Sequence, residues 1–263
     1  MQTSSSNVPR AEQAAGVAAR ARKGELTRAA ILEAALAIAR RDGLEGVTIG
    51  VLAERLGMSK SGVFAHFGSR EDLQLAILNE YAVRFVDIVL RPAVRTARGL
   101  PRLNAIVERW LALLAEEIEA GCILIGGASE YDDRPGPLRD TLAGIVSAWK
   151  GELVRALEQA KECGHLRADV DSAQMVFEIY GLMLMLHQDA RLLRGKDSMR
   201  RARAGLRRLM ENAQENAQEN GHENVGGKAR ENSSPSARDG ARAGRRSAKS
   251  AGATRAAKSA AKH

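Results

Sequence analysis

The sequence predicts an all-α protein, with an N-terminal three-helix helix-turn-helix domain followed by a larger helical domain. Three observations carry that expectation. Aromatic residues make up only 3% of the chain and Pro occurs six times, so strand formers and helix breakers are both scarce beside Ala, Leu and Arg. Apolar residues recur three and four positions apart over long segments. Ser or Thr stands just before several of these segments and Gly just behind them, as helix caps require.

The elements follow in order. Residues 1–24 are rich in Ser, Ala, Gln and Arg without a long apolar face, and are expected to form a flexible basic arm that ends in Arg20, Arg22 and Lys23. Residues 25–73 are expected to be the head domain. A first helix, Leu26 to Arg41, places Ile31, Ala34, Ala35 and Ile38 on one face and stops at Gly43. Thr48 caps a second helix, Ile49 to Leu56, closed by Gly57. Ser59 caps a third, which runs to about Phe67. Ser69 caps a longer helix whose first turn carries Glu71 and Asp72, acidic residues favoured at a positive helix end. That helix runs to about Leu90, where Arg91-Pro92 interrupts it. Residues 74–211 form the expected body, with further helices over Leu103–Ala120, Asp140–Cys163, Ala173–Arg194 and Ser198–Met210. Residues 212–263 open with the polar repeat ENAQENAQENGHEN and continue as a Ser, Ala, Gly, Arg and Lys tract, a composition expected to stay disordered.

Several function classes are excluded at this level. No apolar run approaches the roughly 20 residues that span a bilayer, and MQTSSSNVPR lacks the apolar core of a signal peptide, so a cytoplasmic protein is expected. Cys122 and Cys163 are the only cysteines, and their spacing suggests neither a disulfide framework nor a zinc site. A phosphate-cradling Gly loop, zinc-ligand spacing and a nucleophile elbow are all missing, so no enzyme, metal or cofactor is expected. The formal charge of +8 is concentrated at one end. From Gly221 onward ten Lys or Arg face three Asp or Glu, which leaves the preceding body close to neutral.

The stretch TIGVLAERLGMSKSGVFAHF, residues 48–67, reads as one unit. Leu52, Ala53, Leu56, Met58 and Val63 can form a small core, and Gly57 suits the left-handed backbone of a sharp turn between two helices. A second helix of this kind enters the major groove by its N-terminal end. Ser59, Lys60 and Ser61 have the reach to meet base edges and phosphates there, and Gly62 allows close approach. Val63 and Phe67 face inward, while Phe64 and His66 lie near the exit where a flanking phosphate strand passes. The caps Thr48, Ser59 and Ser69 mark helix N-termini that favour phosphate oxygens.

These residues carry a resemblance. The run TRAAILEAALAIARRDGLEGVTIGVLAERLGMSKSGVFAHFGSREDL, from Thr27 to Leu73, resembles the N-terminal domain of the TetR family of bacterial transcriptional regulators. The matching positions are Leu52-Ala53, Gly57, Ser59, Gly62, Val63-Phe64, His66-Phe67, Ser69-Arg70 and Leu73. The resemblance covers about a fifth of the chain and implies a homodimer with a DNA-binding head and a helical body that binds ligand and dimerises. Phe64 stands where the family usually has Tyr, Arg70 where it has Lys, and Ala39 where it often has Phe. By this resemblance Arg70 keeps the positive charge of a DNA contact. GCILIGGASEYDDRPGPLRD resembles the Gly-Cys opening and acidic Pro-Gly loop of one group of TetR C-terminal domains.

In the body, Trp110, Cys122, Tyr131, Phe177, Tyr180, Met183, Met185 and His187 are candidates to line an effector cavity, although a Met and aromatic stripe at helical spacing is also what a core looks like. Taken singly, His187 reads as a satisfied structural histidine. Glu130, Asp132 and Asp133 read as a solvated acidic loop rather than a metal site with His165 or His187. FEIYGLMLMLHQ is apolar on more than one face, which makes the helix over residues 173–194, with the helix after it, the candidate dimer surface. The basic tail suits nonspecific phosphate neutralisation. The expectation is thus a homodimeric, ligand-responsive repressor that binds a palindromic double-stranded DNA operator and answers to a small-molecule effector. The alternative is a helical ligand-binding or scaffold protein with only nonspecific DNA attraction through its tail.

Overall fold

The structure is a computed structural model that describes the backbone of residues 10–214 and side chains from residue 19 onward. Within those residues the chain is helical, with no strand. The head is built from α1 (Arg10–Asp42), α2 (Ile49–Leu56) and α3 (Lys60–Phe67). The body comprises α4 (Arg70–Phe85), α5 (Arg91–Ala93), α6 (Leu100–Ala120), α7 (Ile123–Tyr131), α8 (Pro137–Glu162), α9 (Ser172–Arg191) and α10 (Ser198–Gln214).

The head forms around α1, whose Ile31, Leu32, Ala35, Leu36, Ile38 and Ala39 are buried at helical spacing. Leu52 and Ala53 of α2 and Val63 and Phe67 of α3 close on that stripe, as the sequence pattern requires. α4 packs on α1, α3, α7 and α8, so one helix belongs to both the head and the body. In the body α6, α8 and α9 pack on one another, α7 lies on α8, and α10 lies along α9.

Several boundaries differ from the expectations; α6 and α8 each start three residues early, and four larger differences have physical causes. Helix α1 begins at Arg10, so residues 10–24, expected as a flexible arm, continue the first helix. Ala, Arg, Gln and Glu are strong helix formers, and a helix already nucleated by the head core extends into them without needing an apolar face of its own. Arg91-Pro92 widens α4 rather than ending it. Residues Val86–Leu90 form a π-helical turn, in which Arg91 N–H bonds the Val86 carbonyl, and an α-helical turn follows to Ala93. The missing Pro92 N–H is accommodated by that shift in bonding pattern. Helix α7 lies in a segment for which no helix is expected, reaches into the acidic stretch read as a loop, and forms despite Gly126 and Gly127. Gly127 is buried against Leu44 and Leu142, so its missing side chain lets α7 approach the head and α8 closely. Finally, α10 continues past Met210 to Gln214, burying Ala213. The basic segment expected to be disordered lies, beyond Gln214, outside the described residues.

Candidate nucleic-acid interface and body cavity

Three side-chain caps set up the recognition element. The Thr48 hydroxyl accepts the Val51 N–H at 3.1 Å and starts α2. Gly57 takes φ 63°, and Met58 N–H bonds the Ala53 carbonyl at 2.9 Å, closing the tight turn toward α3. The Ser59 hydroxyl accepts the Gly62 N–H at 3.1 Å and lies 3.1 Å from the Ser61 hydroxyl. With Val63 and Phe67 holding the inner face, the outer face of α3 presents Ser59, Lys60 and Ser61 in a row, followed by Phe64 with 53% of its surface exposed. Lys60 makes no ion pair among the described residues. Gly62 and His66 are half-buried, one near the start and the other in the last turn of the same helix. Arg28 of α1 stacks over the Phe67 ring at 4.9 Å, bracing the end of α3.

Ser69 is the third cap: its oxygen accepts the Asp72 N–H at 2.9 Å and its hydroxyl donates to the Asp72 carboxylate at 2.6 Å. Arg70, expected at a phosphate, is committed within the protein. Its Nε donates to the Val47 carbonyl at 3.1 Å, and Nη2 donates to the Glu45 carbonyl at 2.6 Å and the Glu45 carboxylate at 2.7 Å. The planar guanidinium fork suits three oxygens of the α1–α2 connection, a geometry that the usual Lys could not span.

That connection is also gripped from the body. The Glu130 carboxylate accepts the N–H groups of Leu44 at 3.2 Å and Glu45 at 3.0 Å. The Tyr131 hydroxyl donates to the Glu45 carboxylate at 2.7 Å, Arg134 donates to it at 3.1 Å, and Gln74 donates to the Leu44 carbonyl at 2.7 Å. The hydrogen bond from Tyr131 and then that from Arg70 hold the Glu45 carboxyl below its ordinary pKa. Glu130, expected in a solvated acidic loop, is therefore a helix-end acceptor, and Tyr131, expected in an effector cavity, is a head–body tie. A Gly at position 121 is required at the same seam. It adopts φ 98°, and a Cβ there would run into the Arg40 carbonyl oxygen.

In the body, Trp110, Cys122, Tyr180 and Met183 do come together, around a compact cavity with about 20 Å³ of free space. Sequence reasoning missed the other aromatic and acidic walls, Tyr81, Phe85, Trp149 and Glu117; leucines and Ile125 complete the lining. Phe85 and Trp149 meet edge-on at 4.7 Å, and Trp149 meets Trp110 edge-on at 5.0 Å. Glu117 was legible as an acid three positions beyond Leu114 and seven beyond Trp110, on the same apolar stripe. It is buried, and the Tyr81 hydroxyl donates to it at 2.6 Å. Burial raises its pKa, against smaller lowering by Tyr81, Cys122 and Arg40. Burial also pushes the Cys122 thiol up to about 12.

A larger open cleft of about 890 Å³ lies beside that cavity, between the end of α1, the start of α7 and the end of α9. His187 lines this cleft, and its Nε2 is buried without a partner, contrary to the satisfied histidine expected. Burial and the nearby Arg191 lower its pKa. Phe177, expected in the cavity, points away from it and is 66% exposed on α9. Met185 is likewise exposed. His165 instead caps α6, its Nδ1 accepting the Leu100 N–H at 3.1 Å. Among the described residues no group of three or more His, Cys, Asp or Glu is arranged to hold a metal ion, and no helix is long and apolar enough to cross a membrane.

Comparison with known proteins places this architecture. Residues 31–77 match the domain described as bacterial regulatory proteins of the tetR family, and residues 99–206 match the tetracyclin repressor-like C-terminal domain, together more than half of the chain. The chain belongs to the TetR family of bacterial transcriptional regulators. The HTH-type transcriptional repressor AcnR of Corynebacterium glutamicum is 40% identical over 75 residues, 28% of this chain and 40% of AcnR. The match thus spans about two fifths of that relative's length. A TetR regulator from Chloroflexus aurantiacus has the same fold, with TM-score 0.62 and 24% identity over 72% of this chain and 95% of that one. AibR, solved with isovaleryl coenzyme A and operator DNA, aligns with TM-score 0.51 and 25% identity over 61% of this chain and 85% of AibR.

Proposed function

We propose that this TetR-family regulator is a ligand-responsive repressor that binds a palindromic operator as a homodimer. The observation that carries the reading is the α3 N-terminus. Ser59, Lys60 and Ser61 are exposed on a helix whose opposite face is locked into the head by Val63 and Phe67. Such a helix enters the major groove by that end, with Thr48 and the first turn of α2 near the backbone. The identity with AcnR, a repressor, spans 75 residues.

The dimer surface is α9. Phe177, Gly181, Leu184, Met185, Gln188 and Leu192 are exposed, at spacings that lie along one side of a helix, and Leu184, Gln188 and Leu192 also line the cleft, which therefore borders this surface. A second copy supplies the matching face by two-fold symmetry, and the two heads then meet successive grooves. The outer face of α10 is arginine-rich, which leaves α9 as the apolar contribution. Ligand response runs through α7. Its first turn lines the cavity and the cleft, and its last residues hold the α1–α2 connection. A ligand that favours one position of α7 biases the head with it.

Selection from random oligonucleotides by the purified protein, followed by competition of the selected site against random DNA at several salt concentrations, tests the reading. A two-fold symmetric consensus that outcompetes random DNA is the expected result. Equal competition by both would overturn it in favour of a helical scaffold attracted to DNA by its basic segment alone.

A further inference from the structure

Among the described residues three buried side-chain nitrogens lack any hydrogen-bond partner: Arg40 Nε, His187 Nε2 and Trp149 Nε1. The residues that carry them line two adjoining spaces with shared walls. Arg40 and His187 line the 890 Å³ cleft, Trp149 lines the adjoining cavity, and Cys122, Ile125 and Leu184 line both. Each nitrogen can carry a hydrogen (His187 in one of its two neutral tautomers), so what the two spaces lack is acceptors. Buried donors without acceptors are rare and costly in native proteins, and a bound partner is one of the ordinary explanations.

The charges point the same way. Arg191 spends its Nη1 on the Ile118 and Glu119 carbonyls at 2.8 and 2.9 Å, in the last turn of α6, and makes no ion pair among the described residues. Arg40 and Arg194, which also line the cleft, make no ion pair among the described residues. The acids lining it are largely engaged. Asp42 pairs with Arg41 at 2.7 Å, and Glu130 accepts the Leu44 and Glu45 N–H groups, which leaves Glu119. Helix α7 opens into the same cleft at Cys122, with no side-chain cap on its N-terminus. The cavity behind it is walled by aromatic rings and Met183, with Glu117 its one carboxylate.

We infer that the cleft and cavity together hold an organic oxyanion, a carboxylate or phosphate monoester carried on an apolar body. The anionic head takes the donors of Arg40 and His187 at the seam between head and body. The apolar end passes Ile125 and Leu184 and spreads the rings of the cavity. This assignment rests on the ligand-responsive reading above and names the chemistry of its effector.

The chain has only two tryptophans, Trp110 and Trp149, and both line the cavity, so intrinsic fluorescence reports occupancy directly. The full chain is titrated with octanoate, octyl phosphate, octanol and octyltrimethylammonium. The expected result is saturable quenching by one or both anions, with octanol at least tenfold weaker and the cation weaker still. The order of the two anions distinguishes a carboxylate from a phosphate ligand. Arg40→Met and His187→Phe should each weaken anion binding about tenfold and leave octanol binding unchanged. If one variant fails to fold, the other still decides. Octanol matching the anions, the cation binding best, or no quenching by either anion overturns the assignment. Operator affinity is measured separately with and without the anion. A change in either direction supports ligand response, whereas binding without any change keeps the oxyanion site and removes the regulatory reading.

Discussion

Lys60 and Arg70 differ in what their charges do. Lys60 is exposed and unpaired at the front of α3, so Lys60→Ala should weaken operator binding and lower the slope of log affinity against log salt by about 0.9. Arg70 holds the Glu45 and Val47 oxygens. Arg70→Ala should therefore lower the melting temperature and leave the salt slope nearly unchanged, measured by the same titrations. The cap at Ser69 and the charge at Arg70 were visible in the sequence, but the contact across 25 residues to Glu45 was not. Glu117 supplies a pH signature. Its folded pKa is raised above the ordinary 4.5, so the folded chain holds that proton more tightly than the unfolded one. The resulting stability is present below 4.5 and is lost as pH rises through the raised value. Glu117→Gln should remove that loss, so the variant's stability relative to the parent improves from acid toward neutral pH in thermal melts. An unchanged difference across that range would show that the carboxyl is not buried.

Helix α7 shows where element-level reading succeeds and fails. The helix-turn-helix was legible because each helix carries its own cap and stop: Thr48 with Gly57, Ser59 with Gly68, Ser69 with its acidic first turn. Helix α7 offers no such punctuation. It begins at an uncapped Cys122, contains two glycines, and owes its place to packing against Leu44 and Leu142. That information resides in distant residues, which a local pattern does not contain. The same element yields a test. Tyr131→Phe removes the hydroxyl that ties α7 to Glu45 while keeping the ring, and should cost about 0.5–1.5 kcal/mol of stability. If the proposed ligand response runs through α7, operator affinity should also become less sensitive to ligand, since the tie from body to head is loosened. Gly121→Ala should cost more than Tyr131→Phe, because both the φ of 98° and the Arg40 carbonyl oppose a side chain there.

At the scale of the whole molecule, an all-α chain with a head and a body was legible from composition and spacing, whereas the interior of the body was only half legible. Trp110, Cys122, Tyr180 and Met183 converge as expected, but Phe177 lies on the outer surface and Tyr131 at the seam. Helical periodicity tells which face is apolar without telling whether that face meets the core or a partner. The exposed Phe177 and Met185 give the corresponding prediction. If α9 forms the proposed dimer surface, Phe177→Asp with Met185→Asp should yield a monomer in sedimentation experiments that keeps its helical circular dichroism, and operator affinity should fall by orders of magnitude.

The early start of α1 has a consequence for occupancy along the chromosome. A helix of 33 residues is about 50 Å long, and its first part carries Arg20, Arg22 and Lys23 clear of the head core. Where that helix projects along the duplex, each bound molecule claims more room than its recognition sequence alone, and two operators set closer than the rod allows should exclude one another. Deleting residues 1–24 should let both fill at once and shorten the stretch shielded from nuclease.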